Sequence, residues 1–205
     1  MTFFEEKMKR VERALYGLRG VGCKPDGLHP CKVAFVYKQY CQAIFKYGLE
    51  TLSITKGTLR LLNFRQNLLI KNVLGLKHIL RIKPLLSILK IDQLTQLYYK
   101  HKLFFFKQIL FNPLTNDLFF YLKGYYSFLK PTYFSFFSQF SELSTFLNLE
   151  ISFSNYKILL SRIDELFASN DIEMLAELRK CLSEHTCERF FITINKINDI
   201  LKIEF

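Results

Sequence analysis

Two clusters of thiol and imidazole side chains offer the donor types that a zinc ion takes. Cys23, His29 and Cys31 share one short stretch, and Cys181, His185 and Cys187 share another. A structural zinc site wants four ligands and typically opens on a pair of cysteines two to four residues apart, and neither cluster has that pair. Three candidate donors in each leave a tetrahedral site incomplete, so the expectation is thiols without metal. Carboxylate chemistry is equally thin. Asp26, Asp92, Asp117, Asp164, Asp171 and Asp199 stand singly, with no paired aspartates of the kind that hold two metal ions for phosphoryl transfer. His78 and His101 have no carboxylate beside them in sequence to orient an imidazole as a base. No phosphate-binding glycine loop, nucleophile elbow or H-E-x-x-H helix is present. The expectation is therefore a chain with no catalytic residue, no cofactor and no metal.

Cations are a different matter. Between Glu50 and Asp92 there is no acidic residue, while Lys56, Arg60, Arg65, Lys71, Lys77, Arg81, Lys83 and Lys90 all fall in that interval. Plotted at about 100° per residue, Leu59, Leu62, Gln66, Leu69 and Val73 share one arc of roughly 80°. Lys56, Arg60, Asn67 and Lys71 share a second arc of about 60°, well apart from the first. One face is built for a core. The other carries three cations and an amide, where an ordinary solvated face would mix signs. Lys56, Arg60, Asn67, Lys71, Lys77, Arg81 and Lys83 are thus the candidate contacts to a polyanion.

The charge of the whole chain agrees. A net +11 over 205 residues divides unevenly: residues 1–110 hold 20 Lys/Arg against 6 Asp/Glu, and residues 111–205 hold 9 against 12. One basic half meeting nucleic acid is the leading implication, and an anionic membrane surface or acidic protein is the second. Half the residues are apolar, which is enough for a sizeable core, and Gly (8) and Pro (5) are too few for a turn-rich β protein. The 22 phenylalanines beside no tryptophan also fit an AT-rich coding sequence. The aromatic-rich stretch 104–137 lacks the interleaved cations of a base-stacking platform, so core packing is its expected role.

The supporting elements read as helices. Phe4, Met8, Val11, Leu15 and Leu18 make one face of a helix over residues 3–19, which the glycines and prolines of GVGCKPDGLHP end. From Cys31 to about Gly48, Val33, Val36, Tyr37, Tyr40, Ile44 and Tyr47 form the expected inner side, with Lys38, Gln42 and Lys46 outside. The basic helix follows over residues 56–74, with Gly75 as a left-handed stop. Pro84 opens a short helix, and Asp92 starts a longer one running to Leu110, which Asn112-Pro113 closes. Residues 114–160 read as short helices, and firmer ones follow at 155–168 and 171–183. The fold class is all-α, an irregular helical bundle. Composition divides it into a basic domain at 1–111 and an aromatic-rich, weakly acidic helical region at 112–205. No uncharged run is long enough for a membrane span, and the acidic start MTFFEEKMKRVER is unlike a secretory signal, so an intracellular chain, nuclear or cytoplasmic, with free thiols is expected.

In residues 10–110 the order of features resembles the thumb and post-thumb segment of non-LTR retrotransposon reverse transcriptases. The matching pieces are Glu12-Arg13-Ala14 in the first helix, an aromatic helix closing in Tyr47-Gly48-Leu49-Glu50, the run FRQNLLIKNVLGL, and then PLLSILKI. The interval from YGLE to NVLGL is the most specific part. Residues 125–205 have no counterpart, and the Cys/His knuckle that often follows such polymerases is not matched by Cys181–Cys187. The resemblance implies a thumb-like helical half, with the fingers and the palm that carries the catalytic aspartates lying upstream of Met1. It further implies a truncated or split, non-catalytic piece of an RNA-directed DNA polymerase that keeps a grip on the backbone of RNA or an RNA–DNA primer–template. The alternative is an all-helical scaffold whose basic half docks an acidic protein or an anionic membrane surface.

Overall fold

The computed structural model describes residues 3–76, 82–128, 136–149, 151, 155–167 and 199. The fold is all-α, with no strand among the described residues. The helices are α1 (Phe3–Gly17), α2 (Pro30–Val36), α3 (Gln42–Lys46), α4 (Lys56–Leu74), α5 (Lys83–Ile88), α6 (Leu94–Phe111), α7 (Pro113–Phe128), α8 (Phe136–Leu147) and α9 (Tyr156–Phe167). The expected helix at 171–183 lies outside the described residues.

Two compact units share this chain. The first includes the residues up to Tyr47 together with Gly57–Leu94, and the second includes Gly48–Lys56 and Thr95–Phe167. Compactness thus divides the chain at different points from composition, which changes at residue 111. The basic first half contributes its α6 to the second unit, where that helix finds its apolar partners.

In the first unit, α1 buries Met8, Val11 and Leu15, the three central positions of its apolar face. Lys7 is buried with them, and its ammonium donates to the carbonyl oxygen of Tyr47. The glycine-rich loop after α1 is closely tied. Cys23 N–H donates to the Leu18 carbonyl at 3.1 Å, and Leu28 N–H to that of Gly22 at 2.9 Å. Gly22 has φ +100°, and a Cβ on Gly27 would lie 2.1 Å from the Gly22 carbonyl oxygen, so both positions require glycine. His29 then caps α2, its Nδ1 accepting from the Cys31 N–H at 3.3 Å, with Pro30 in the first turn. The imidazole offered above as a metal donor is used as a helix cap.

Between α2 and α3 the helix widens into a π turn, Tyr37–Cys41. One extra residue enters the turn there, and the buried face is rephased. Tyr37, Cys41 and Phe45 lie inward at 1 %, 0 % and 1 % exposure, whereas Tyr40 and Tyr47, expected inside, are 61 % and 85 % exposed. Gln42, expected outside, is buried. Leu15, Val33, Ala34 and Tyr37 meet Ile70, Val73, Leu74, Leu89 and Ile91 around one small void, so α1, α2, α4 and the end of α5 share a core.

The second unit packs through aromatic rings. Tyr99 stacks on Phe146 with centroids 4.5 Å apart, and Phe140 meets both Phe106 and Phe119 at 4.9 Å. Leu103, Leu143, Leu147, Leu159 and Ile163 complete its interior. The expectation of core packing for residues 104–137 therefore holds for Phe106 and Phe119. Phe111, Leu114, Leu118 and Tyr121, between 56 % and 80 % exposed, remain outside that core. Among the described residues no helix is long and apolar enough to cross a membrane.

Candidate nucleic-acid interface

Helix α4 carries most of the candidate contacts, and its own residues set its orientation. Leu59, Leu62, Leu69 and Val73 are each no more than 4 % exposed, and Gln66 is fully buried. The five positions of the expected inner arc all face inward, joined by Ile70 and Leu74. Each fully buried Leu or Val contributes about 1.5–3 kcal/mol, so rotating the helix to bring its cations inside would expose several side chains at once. The C-terminal end is fixed as well. Gly75 takes φ +71°, and Leu76 N–H reaches back to the Lys71 carbonyl at 2.8 Å, closing a Schellman turn.

Gln66 locks the helix to the chain that follows α5. Its Nε2 donates to the Asp92 carbonyl at 3.1 Å, and its Oε1 accepts the Leu94 N–H at 3.0 Å. A buried carboxamide with both ends engaged holds the helix in rotation as well as in position.

With that face fixed, Arg60 is exposed, and Asn67 and Lys71 are half-buried. Among the described residues Arg60 has no acidic partner. The Asn67 Oδ1 is shut off from solvent without a hydrogen-bond partner. Burial holds the Lys71 ammonium below the usual lysine range. An ammonium already short of water gains more from a phosphate oxygen than a fully hydrated one does, because field lines there run partly through protein. From Arg60 to Lys71 the helix rises about 16 Å.

Lys56, the first residue of α4, belongs to the second unit and lies 3.4 Å from Glu142, with both side chains largely exposed. The stretch between Glu50 and Asp92 lacks acids in sequence, but a carboxylate 86 residues downstream supplies one in space. Such an exposed pair is worth little and exchanges readily for another anion. Lys83 is exposed at the start of α5 in the first unit. Lys77 and Arg81 lie outside the described residues, as do His78, Cys181, His185 and Cys187.

One side chain of this face has no place in the sequence-level list. Phe64 is 64 % exposed on the outer side of α4, a turn after Arg60, and Leu61 beside it is 49 % exposed. Charge plotting passes over it because it carries none. Its position at 80° from Lys56, next to the cationic arc and outside the apolar one, was the available signal.

Chemically, this face can hold anions and stack flat groups. A planar guanidinium offers five N–H donors and an ammonium three, with no nucleophile or base among them. Among the described residues no three His, Cys, Asp or Glu side chains gather to hold a metal ion. No protein-family model matches the chain, and no curated protein or solved structure is significantly similar to it.

Proposed function

We propose that the chain is a nucleic-acid-binding helical protein derived from the thumb region of a non-LTR retrotransposon reverse transcriptase, gripping a polynucleotide backbone without catalysing a reaction on it. The observation that carries this is the division of α4. Its inner arc is sealed by Leu59, Leu62, Gln66, Leu69 and Val73, and this leaves Arg60 exposed with Asn67 and Lys71 half-buried on the same side of the helix. Lys83 adds a cation in the same unit, and Lys56, Lys77 and Arg81 are assigned to the same role. Contacts of this type fix position on the backbone and give affinity without reading sequence. The family assignment rests on the residues from YGLE to NVLGL.

Parallel titrations of the full chain against an RNA–DNA duplex and against anionic phospholipid vesicles test the proposal. Duplex binding at low salt with little vesicle binding supports it. Vesicle binding without duplex binding would replace it with a membrane-surface scaffold.

A further inference from the structure

We propose that Phe64 is a base-stacking platform, and that the outer face of α4 takes single-stranded nucleic acid in preference to a closed duplex. The inference rests on the nucleic-acid reading of that face and names which form of nucleic acid it takes. Phe64 is 64 % exposed, and among the described residues its ring packs against no other ring and no cation. Two other partly exposed rings do lie beside cations: the Arg19 guanidinium is 4.4 Å from the centre of the Tyr16 ring, and Lys123 5.8 Å from that of Phe120. Phe64 has no such cover.

Helix geometry settles its surroundings. Residues three, four and seven apart share a surface, so the ring is bordered on one side by Arg60, Asn67 and Lys71 and on the other by Leu61 and Leu68. A protruding apolar ring between cations gains nothing from a duplex, whose base faces are already stacked and whose outside is phosphate and water. An unpaired base offers both what the ring needs and what the cations need: a π-face for Phe64, and a phosphate on either side for Arg60 and Lys71. The partial desolvation of Lys71 favours the same ligand, since a strand lying along the helix covers it further.

The test uses the full chain with a fluorescein-labelled oligo(dT), an RNA–DNA duplex of equal length, and a single strand carrying 2-aminopurine. Single-strand binding is expected to be the tighter, with 2-aminopurine fluorescence quenched on binding. Phe64→Ala is expected to weaken single-strand affinity about tenfold and abolish the quench, while duplex affinity stays within about twofold; stacking on one aromatic is worth that much. Phe64→Tyr, which keeps the ring, restores both. Because Phe64 is exposed, the variants keep the wild-type helical circular dichroism and unfolding midpoint, which is checked alongside. If Phe64→Ala leaves single-strand binding unchanged, or weakens duplex equally, the stacking proposal falls while the backbone-binding reading stands. If the wild type binds neither form, both fall. Loss of anionic-vesicle binding in Phe64→Ala, with oligonucleotide binding untouched, assigns the ring to a lipid surface and overturns the proposal.

Discussion

Gln42 and Gln66 converge on one oxygen atom. Each donates from its Nε2 to the main-chain carbonyl of Asp92, at 2.9 and 3.1 Å. Both side chains are almost fully buried, and they come from different helices, α3 and α4. A single carbonyl at the entry to α6 therefore ties together the rephased helix after the π turn and the helix that presents the cations.

The two glutamines are unequal, and stability measurements should show it. Gln66→Ala removes a donor to Asp92 and the acceptor for the Leu94 N–H, leaves that amide buried without a partner, and opens a cavity. A loss of about 2–4 kcal/mol is expected from urea unfolding. Gln42→Ala leaves the Asp92 carbonyl still bonded by Gln66 and should lose about 1–2 kcal/mol. The double variant should lose more than the two added together, because only then is the Asp92 carbonyl left without a side-chain donor.

The π turn makes a prediction about helical phase. Phe45 lies inside at 1 % exposure, and Tyr47, two residues on, is 85 % exposed. Phe45→Ala should lower the unfolding free energy by about 3–5 kcal/mol. Tyr47→Ala should change it by no more than about 0.5 kcal/mol. In the structure α3 ends at Lys46 and Tyr47 is extended; an α-helix without the π turn that ran on through Tyr47 would put that ring on the inner side, and the two results would then be similar.

Lys102 gives the second unit a pH dependence. It is 2 % exposed, its ammonium donates to Gln139 Oε1 and lies 5.6 Å from the centre of the Tyr98 ring, and burial lowers its pKa from 10.5 to about 8, against the opposing pull of Glu50. Between about pH 8 and 10.5 the unfolded chain keeps a proton that the folded chain has released, so this residue's destabilisation is complete below pH 8 and relieved as pH rises. Relative to Lys102→Met, the wild type should gain about 2–3 kcal/mol of stability across that window. The comparison must be between the two proteins. Burial pushes the Cys41 thiol up to about 12 and the Tyr98 hydroxyl to about 12, and both oppose the trend in absolute stability above pH 9.

Cysteine accessibility tests the loop and the π turn independently. Cys23 and Cys41 are fully buried, each with its thiol pushed up by burial, while Cys31 is exposed. Iodoacetamide under native conditions, read peptide by peptide in a mass spectrometer, should modify Cys31 at least tenfold faster than the other two. Comparable rates at all three would mean that the glycine loop is not closed over Cys23.

Much of this architecture was legible in the residues. The 3.6-residue periodicity of α1 and α4, the glycine stop at Gly75 and the Pro84 start of α5 all appear in the structure because each depends on local chemistry. The face of α2 and α3 was not legible beyond Tyr37. A π turn inserts a residue without any mark that periodicity detects, and every inward position after it shifts. Gln66 shows the opposite case: its place in the apolar arc was evident, but its partner at Asp92 is a main-chain atom, which no side-chain pattern reveals. Lys56 and Glu142 could not be paired in advance, since 86 residues separate them. Phe64 carries no charge, so the charge pattern that marks Arg60 and Lys71 leaves the ring beside them unmarked.

The salt dependence of binding tests the central claim most directly. The full chain is titrated with an RNA–DNA duplex and with a single strand of equal length at several salt concentrations, alongside Arg60→Ala/Lys71→Ala. Each phosphate contact contributes close to one unit to the slope of log K against log salt on a duplex, and somewhat less on a single strand. A steep negative slope for the wild type, shallower by about 1.5–2 units on the duplex in the double variant, is the predicted result. Identical slopes in the two proteins would contradict the assignment of α4 as the nucleic-acid interface.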